Sequence, residues 1–424
     1  MAEKITAPKG TYDILPEDQA TRRWLVDLAA DVFRRYGYGR IDTPVFEDTR
    51  LFVRGVGQST DIVRKEMYTF EDLGGRSLTL RPEGTAPAAR AYIEHGMKQK
   101  PQPVKLWYHW PMFRYESPQS GRYRQHYQFG IEAFGSDSPA LDAEVIGVLA
   151  SLYREAGLRE VSLRLNSMGD RECRPAYTDT LRGFLRSREG ELCADCRVRM
   201  EMNPLRTFDC KEASCAAVLS DAPRLSEYLC PACAAHHEET KKYLRAQGIE
   251  FSEDHTLVRG MDYYTRTTFE FSSGVLGAQS GVGGGGRYDY LVEDIGGPPT
   301  PGVGFGTGVE RILLALERSG AQIPPPRPLG VYIVAVDDAG REAAYRLAHE
   351  VRTRGGSADL DYQGRSVKGQ MKQAGNRGAV YAAILGADEL AEEAVTLKLL
   401  ATGSESRVPW QEAIELLTKA DKEA

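Results

Sequence analysis

A run of alternate glycines beside an arginine is the part of this sequence best suited to nucleotide chemistry. It consists of Gly302, Gly304, Gly306 and Gly308, followed by Arg311. Every second side chain of a strand points to the same face, so this strand has one face without side chains. A bare face lets a flat ligand lie against the main chain. The pattern indicates a nucleotide platform, but a glycine-rich strand packed against other backbone explains the glycines equally well.

Two familiar nucleotide motifs do not fit the sequence. The alternate glycines lack the G-x-x-G step of the dinucleotide fingerprint, and no Gly-Lys pair occurs anywhere in the chain, which excludes a P-loop. If the glycine-rich strand binds a nucleotide, it must therefore do so with a site of another type.

A second candidate set lies on a predicted hairpin. Residues 105–110 and 128–134 have strand character, with a turn near 118–121 between them. Gln128 and Glu132 are four apart and share one sheet face, and Arg114 follows the first strand. A cation, an amide and a carboxylate suit an ionised amino acid beside a phosphate. A surface ion pair on a hairpin is the alternative.

The cysteines form a third candidate set, because all seven lie between residues 173 and 233. Two C-x-x-C pairs in an intracellular chain are more typical of zinc than of disulfides. Reduced structural thiols are the alternative, and we interpret the cysteines in that way. The sequence leaves a structural zinc ion open but does not predict one. The six cysteines in question are Cys193, Cys196, Cys210, Cys215, Cys230 and Cys233.

Length and charge limit the class of protein. A chain of 424 residues suggests about three domains. A net charge of −6 argues against indiscriminate nucleic-acid binding, although residues 114–124 and 362–377 are locally basic. No signal-peptide core and no apolar run of the ~18 residues needed for a membrane span is found. We therefore expect a cytoplasmic protein without a membrane partner.

Periodicity predicts the elements that position these residues. Residues 17–37 form an amphipathic helix, and residues 170–250 have helical spacing with little strand character. Strand character is found at 38–45, 78–81, 105–110, 128–134, 161–165 and 267–271. We infer that one strand-rich domain is interrupted by a helical insertion.

The last part of the chain has a different pattern. A proline-rich linker at 324–328 precedes it. Strands at 331–336, 357–360 and 380–385 alternate with helices at 340–354 and 366–374. This alternation predicts a small α/β domain with a largely parallel sheet. The domain holds more acidic than basic residues, so any nucleic-acid contact must use its basic stretch.

The motifs together resemble the histidyl-tRNA synthetases, a family of class II aminoacyl-tRNA synthetases. The three class II motifs are matched at residues 37–47, at 113–116 with 121–125 and Gln128, and at 302–306 with Glu310 and Arg311. Residues 8–13 and 81–85 also match, and the likeness spans nearly the whole chain. Two stretches narrow it to histidine, namely Leu257-Val258-Arg259-Gly260-Met261-Asp262-Tyr263-Tyr264 and Gly285-Gly286-Arg287-Tyr288-Asp289.

The resemblance implies a fold and an activity. The fold is an α+β catalytic domain built on an antiparallel sheet (1–169 and 251–323), a helical insertion (170–250), a linker (324–328) and a C-terminal α/β anticodon-binding domain (329–424). The activity is ATP-dependent ligation of L-histidine to tRNA(His) through a histidyl-adenylate, releasing AMP and pyrophosphate. The implied partners are tRNA(His), histidine, ATP with Mg²⁺ as a substrate complex, and a second copy in a homodimer.

The resemblance also implies roles for individual residues. Arg114 would hold the α-phosphate, and Arg259 would bridge the substrate carboxylate and the α-phosphate, where other class II enzymes place magnesium. For histidine, the resemblance implies Glu83, Thr85 and Gln128 as acceptors for the ammonium, and Glu132 and Tyr264 at the imidazole with Tyr263 lining the pocket. Gly84, Arg114 and Arg259 are implied as further histidine contacts. Those implied for ATP are Glu116, Arg122, Arg124 and Arg311, and those for tRNA are Arg365, Lys368 and Lys372.

Other interpretations remain. A synthetase-like regulatory subunit of ATP phosphoribosyltransferase resembles the same core but typically lacks the last domain and the Arg259 stretch. A prolyl or threonyl synthetase is disfavoured by that same stretch, and a zinc-dependent nucleic-acid binder leaves Arg114 unexplained. Two features depart from the family pattern: Tyr290, where a small residue is usual, and the Cys230-x-x-Cys233 pair.

Overall fold

A computed structural model describes residues 4–58, 60–277 and 280–423. The chain divides into two compact units, one ending at Ile323 and the other beginning at Pro324. Along the described residues, no helix is both long enough and apolar enough to cross a membrane.

The first unit contains the larger sheet and most of the helices. Its strands are β1 Gly39–Arg40, β2 Phe46–Asp48, β3 Tyr68–Glu71, β4 Ser77–Leu80, β5 Val104–Phe113, β6 Gln125–Phe134, β7 Val161–Ser167, β8 Ser252–Glu253, β9 Thr265–Ser273, β10 Gly281–Arg287 and β11 Gly302–Gly308. Its helices are α1 Pro16–Arg35, α2 Thr49–Gly55, α3 Thr85–Glu94, α4 Pro139–Ala156, α5 Arg174–Ser187, α6 Ala194–Met202, α7 Ala213–Ser220, α8 Pro231–Ala246, α9 Leu291–Asp294 and α10 Val309–Ser319. Shorter helical turns lie at Ile62–Glu66, Met97–Gln99, Glu189–Glu191, Pro204–Asp209, Leu225–Tyr228 and Gly274–Leu276.

Within the described part of the chain, eight strands form one sheet in the order β1-β5-β6-β11-β10-β9-β7-β8. The outermost pairings, β1 with β5 and β7 with β8, are parallel, and the pairings between them are antiparallel. The predicted antiparallel sheet is confirmed. Strands β2, β4 and β3 form a small antiparallel sheet beside it.

One face of the large sheet packs against α1, α4 and α10. Val303 and Phe305 of β11 are buried on this face, and the Phe305 ring lies 6.2 Å from that of Phe33 in α1. Helix α1 also buries Leu25 and Ala29, at the spacing that a helix needs to present one apolar side. Because side chains alternate along a strand, the glycines of β11 point to the opposite face.

The segment 170–250 is helical throughout its regular elements, as predicted. Its Tyr177 and Leu181 belong to the same apolar cluster as Phe52 and Tyr92. Because it shares this cluster with the rest of the unit, its description as a separate inserted domain stays a prediction.

A buried ionic network joins this segment to the sheet. Arg287 of β10 is fully buried and forms an ion pair with Asp142 of α4, whose carboxylate lies 2.7 Å from His236 Nε2 of α8. Arg287 also pairs with Asp289 at 3.0 Å. Both sets of contacts lie inside the protein. Arg287 of the Gly285–Asp289 stretch therefore stabilises the fold through buried ion pairs.

The strand predicted at residues 38–45 is wrong as a continuous element. Only β1 forms there, and the chain then leaves the sheet before β2. Side chains take the place of a strand partner, because Trp110 Nε1 donates to Ile41 O at 3.1 Å and Arg81 Nη1 donates to Thr43 O at 2.9 Å and Pro44 O at 3.2 Å. Backbone carbonyls that are bonded in this way need no neighbouring strand.

In the residues that the structure describes, the second unit is a five-stranded sheet flanked by helices. Its strands are β12 Leu329–Ala335, β13 Ala358–Leu360, β14 Ala379–Leu385, β15 Ala394–Leu399 and β16 Glu405–Pro409, and its helices are α11 Asp338–Thr353, α12 Val367–Asn376, α13 Ala387–Ala391 and α14 Trp410–Glu423. The order is β13-β12-β14-β15-β16. The pairings among β13, β12 and β14 are parallel, whereas those of β15 and β16 are antiparallel, so the sheet is mixed and not largely parallel.

Candidate functional site

One cavity of about 330 Å³ opens on the glycine-bearing face of the large sheet. Residues from several distant segments meet there, which is the arrangement expected of a ligand site. The cavity is lined by these residues that the resemblance marked: Glu83, Gly84, Thr85, Arg114, Glu116, Arg122, Gln128, Arg259, Tyr263, Tyr264 and Arg311.

The floor of the cavity is backbone from β10 and β11. We call this surface the glycine floor, and it consists of Gly281, Gly283, Gly284, Gly306 and Gly308. A Cβ added at Gly306 would lie 3.5 Å from Gln128 Oε1, an ordinary contact distance. The space above Gly306 is thus open to a ligand, as the alternate glycines predict.

The other two glycines of the run have a different role. A Cβ on Gly302 would lie 2.3 Å from Tyr288 Cε2, and one on Gly304 would lie 2.1 Å from Glu132 Oε2. Buried side chains already fill the space above this half of the strand. The prediction of a strand face bare along its whole length is therefore wrong for Gly302 and Gly304.

Arg259 lies in the loop before β9 and is held there by Glu270. Its Nη1 is 2.7 Å from Glu270 Oε2, and the side chain is only 19% exposed. A Cβ on Gly284 would lie 3.1 Å from the same Nη1, so the guanidinium rests on the glycine floor. The buried Nε of Arg259 has no hydrogen-bond partner among the described residues. Arg259 is among the residues that line the cavity, so its guanidinium can contact a ligand there.

Arg114 reaches the same cavity from the end of β5. Its Nε donates to Pro82 O at 2.7 Å, and its backbone N–H donates to Arg124 O at 2.9 Å. Both contacts fix the arginine relative to the β4–α3 connection and to the hairpin. A planar guanidinium donates two parallel hydrogen bonds to oxyanions. Arg114 and Arg259 line the same cavity, and each can donate hydrogen bonds to an oxyanion there.

Arg311 lies at the start of α10 and is nearly buried. Its Nε and Nη2 donate to Gly281 O at 3.1 and 2.9 Å. Burial, together with the nearby Arg122 and Arg318, lowers the pKa of this guanidinium. An anion or an electron-rich ring beside it would relieve that crowding of positive charge.

The hairpin loop supplies Glu116 and Arg122 to the cavity. Their side chains form an ion pair at 3.4 Å. Arg124 is not among the lining residues in the described structure. Its guanidinium lies 3.7 Å from the centroid of the Tyr115 ring, and its Nε donates to Glu116 O at 3.2 Å. Arg124 thus holds the loop in shape and lies beside the cavity.

Glu132 is fully buried and, unlike most of the other predicted histidine contacts, is not among the residues that line the cavity. Its Oε1 accepts hydrogen bonds from Thr85 Oγ1 at 2.8 Å and from the Tyr108 hydroxyl at 3.0 Å, and its Oε2 accepts one from Tyr288. Burial raises the pKa of Glu132 to about 8. At neutral pH the group is therefore largely protonated and can donate as well as accept a hydrogen bond.

Glu83 is bonded to the first turn of α3. Its two oxygens accept the N–H groups of Thr85 and Ala86, each at 2.8 Å, and the Tyr263 hydroxyl donates to it at 3.3 Å. Burial raises the pKa of this carboxyl, whereas the backbone donors favour its charged form. The result is a rigid acceptor at the cavity wall.

Several cavity residues were not predicted from the sequence, among them Glu270, His126 and Tyr108. Glu270 gives no signal beyond its alternation with apolar neighbours on β9. His126 is kept neutral, because burial and Arg114 lower its pKa to about 3. The only sequence signal for Tyr108 is indirect and consists of Gly84 and Gly130. A Cβ on either glycine would lie 2.3 or 2.2 Å from the Cζ of Tyr108, so only glycine fits there.

The predicted tRNA residues lie in the second unit, around α12. Arg365 is paired with Asp361 at 2.6 Å, so its charge is partly neutralised. Lys368 and Lys372 are exposed, and no ion pair is found for either among the described residues. The unpaired positive charge of the predicted stretch is thus concentrated on one face of α12.

The cysteines fall into two groups that sequence spacing did not define. Sulfur atoms of Cys193, Cys196, Cys210 and Cys215 form one group, and three other cysteines join Asp170 in the second. The seven cysteines, which all lie in the described part of the chain, are free thiols. Either group has the donor number of a structural zinc site.

Comparison with known proteins agrees with the geometry. Residues 10–312 match the family described as Histidyl-tRNA synthetase, and residues 330–420 match the family described as Anticodon binding domain. The Histidine--tRNA ligase of Moorella thermoacetica is 51% identical over 412 residues, 97% of each chain. That of Caldanaerobacter subterraneus subsp. tengcongensis is 49% identical over 402 residues, which cover 95% of this chain and 96% of that relative.

A solved structure gives the same result for the fold. The crystal structure of apo S. aureus histidyl-tRNA synthetase superimposes with a TM-score of 0.84 at 38% identity, covering 98% of this chain and 100% of that one. Sequence and fold both match over nearly the whole length, and on these grounds the chain belongs to the histidyl-tRNA synthetase family.

Proposed function

We propose that the protein activates L-histidine with ATP and transfers the histidyl group to tRNA(His). The observation that carries this proposal is the placement of Arg114 and Arg259 around one cavity whose floor is bare backbone. The alternative role as a regulatory subunit of ATP phosphoribosyltransferase is not favoured, because the relatives that are about half identical over the full length are histidine–tRNA ligases.

In the first step, a carboxylate oxygen of histidine attacks the α-phosphorus of ATP. A P–O bond to histidine forms while the P–O bond to pyrophosphate breaks. The protein needs to orient the two reactants and to stabilise negative charge at the phosphorus. Arg259, fixed by Glu270, and Arg114, fixed by Pro82 O, would supply that charge from preset positions.

The remaining ATP contacts follow from the cavity wall. ATP would bind as its Mg²⁺ complex, with the adenine on the glycine floor. Arg311 would lie over the nucleotide, and Glu116 and Arg122 would close the hairpin side. Arg124 would contribute by holding that loop through Tyr115.

Histidine would bind between the polar groups behind the floor. Glu83, Thr85 and Gln128 offer acceptors to its ammonium. Because Gly84 has no side chain, the Tyr108 ring fits against its backbone. Its imidazole would meet Glu132 and Tyr264, with Tyr263 along the wall. A buried site that hydrogen-bonds both ring nitrogens rejects analogues without them by a factor of ~10⁴ or more.

In the second step, a ribose hydroxyl at the end of tRNA would attack the carbonyl carbon of the adenylate and release AMP. The second unit would bind the anticodon region through Lys368 and Lys372, with Arg365 beside them. We further propose that the protein is a cytoplasmic homodimer, in which the exposed Val45 and Phe46 would be covered by the second copy.

The decisive experiment is pyrophosphate exchange measured with each of the twenty amino acids. We expect exchange with histidine alone. Exchange with another amino acid and not with histidine would reject the substrate, and no exchange with any would reject the activity. Sedimentation or light scattering tests the dimer separately, since a monomer at assay concentration is incompatible with it.

A further inference from the structure

Four cysteines from three segments meet in the helical part of the first unit. Cys193 precedes α6 and Cys196 lies in its first turn, whereas Cys210 follows the turn Pro204–Asp209 and Cys215 lies in α7. Their four sulfur atoms lie within 4.8 Å of one another. Such convergence needs a physical reason, because the four residues are spread over three short helical elements.

The sulfur spacing fits a tetrahedral metal site. The Sγ atoms of Cys193 and Cys210 are 3.8 Å apart. Zinc–sulfur bonds of about 2.3 Å at tetrahedral angles separate two sulfur atoms by about 3.8 Å. A disulfide would need about 2.05 Å, so the pair is not oxidised.

Backbone N–H groups point at two of the four sulfur atoms. Cys196 N donates to the Sγ of Cys193 at 3.4 Å, and Cys193 N donates to the Sγ of Cys215 at 3.2 Å. The first of these sulfur atoms also caps the N-terminus of α6, which fixes its position relative to Cys196. Cys196 and Cys215 are fully buried, whereas Cys193 and Cys210 are half-buried and leave a path for an ion.

We propose that Cys193, Cys196, Cys210 and Cys215 bind one structural Zn²⁺ ion. Four thiolates around zinc form a closed site without an open coordination position, which is a structural and not a catalytic arrangement. Soft sulfur ligands select zinc over magnesium or calcium. This proposal goes beyond the sequence-based interpretation, because spacing alone did not show that these four thiols meet.

The ion would stabilise a segment that contacts the loop of Arg259. Cys210 directly follows Asp209, which lines the cavity. Arg206, four residues before Cys210, donates through Nη2 to Gly260 O at 2.5 Å. Zinc bound at Cys210 would therefore fix the position of Asp209 in the cavity wall and, through Arg206, that of Gly260.

The second group differs in its chemistry and supplies the control. There, the thiols of Cys233 and Cys173 donate to the two oxygens of Asp170, at 3.0 and 3.5 Å. This arrangement satisfies protonated thiols without a metal, and a carboxylate is not among the usual ligands of closed structural zinc sites.

The test is the zinc content of the full-length protein, purified under reducing conditions and dialysed after zinc loading. Relative to wild type, C193S and C210S should each lose one zinc equivalent per chain, and C233S should retain it. Wild-type protein without stoichiometric zinc would overturn the proposal. So would variants at 193 and 210 that keep all their zinc, or a loss confined to C233S.

A footprint on wild-type protein covers the case in which a variant does not fold. Thiol alkylation before and after zinc removal, mapped by mass spectrometry, should show protection of residues 193, 196, 210 and 215 by zinc. Cys230 and Cys233 should label equally in both samples. Equal labelling of the four proposed ligands with and without zinc would contradict the site.

Discussion

Arg259 Nη1 lies 2.7 Å from Glu270 Oε2, and the other oxygen of that carboxylate contacts Arg164. One carboxylate thus serves two guanidinium groups, so Arg259 is oriented without being fully neutralised. A guanidinium has five N–H donors, and a single carboxylate oxygen does not use them all. This ion pair fixes the cation, which would lower the cost of ordering it in the transition state of the proposed reaction.

Arg259→His should reduce the rate of histidine-dependent pyrophosphate exchange by about 100-fold or more, because a fixed charge at the phosphorus is lost. The fold should persist, since Glu270 keeps Arg164 as a partner. Circular dichroism checks the fold, and Arg23→His, at an exposed pair with Asp27, is the matched control. Exchange near the wild-type rate would remove Arg259 from the proposed role.

Gly304→Ala and Gly306→Ala form a matched pair on one strand. A methyl at Gly304 would lie 2.1 Å from Glu132 Oε2, so this variant should lose about 1–3 kcal/mol of stability or more. A methyl at Gly306 makes an ordinary contact at 3.5 Å but occupies the glycine floor. We expect Gly306→Ala to keep the thermal midpoint and to raise the KM for ATP about 10-fold, or ~1.4 kcal/mol.

Thermal melts and exchange kinetics measure the two effects separately. If Gly306→Ala melted as early as Gly304→Ala, or bound ATP like wild type, the open half of the glycine floor would not be the nucleotide surface.

Glu132→Gln should change how stability depends on pH. Burial raises the pKa of Glu132 to about 8 in the folded protein, against about 4.3 in an unfolded chain. The folded state therefore binds this proton more tightly, and the stabilisation is complete below about pH 4.3 and is lost as pH rises towards 8. Relative to the Gln variant, wild type should lose about 4 kcal/mol between pH 5 and pH 8.5.

Thermal midpoints of both proteins at several pH values test this expectation. The difference between wild type and variant should shrink or reverse at high pH. A difference independent of pH would show that Glu132 is already ionised at pH 5.

Lys368→Ala combined with Lys372→Ala should weaken tRNA binding through the loss of two phosphate contacts. We expect the KM for tRNA in charging to rise about 10-fold, with a weaker dependence on salt, while pyrophosphate exchange stays unchanged. Lys419→Ala, exposed in the same unit, is the control. Equal charging by the double variant and the control would reject this surface as the tRNA contact.

Truncation after Ile323 should separate the two activities, because the chain divides into compact units at that point. The shortened protein should keep histidine-dependent pyrophosphate exchange within a few-fold of wild type. Its charging of tRNA should fall by about 100-fold, since contacts of the second unit are lost. Charging by the truncated protein at the full-length rate would argue against the anticodon role.

Long periodic elements were predictable from the sequence, and short or internally bonded ones were not. The hairpin of β5 and β6 and the helix α1 formed as predicted, although their bounds moved by a few residues. Residues 38–45 did not form one strand, because Trp110 and Arg81 bond its backbone. Strands β15 and β16 were not predicted. For β16 the reason is that the strand is mostly exposed and its burial does not alternate.

The sequence by itself determined the motifs, the helical character of residues 170–250 and the family resemblance, because these depend on residue types at short spacing. Only the tertiary structure decided that Glu270 holds Arg259, that Tyr108 fits between two glycines, and which four thiols meet. These contacts join residues from distant segments, and their distances are set by the packing of the sheet and helices as a whole. Local periodicity specifies which way a side chain faces, but it does not specify which distant side chain it will face.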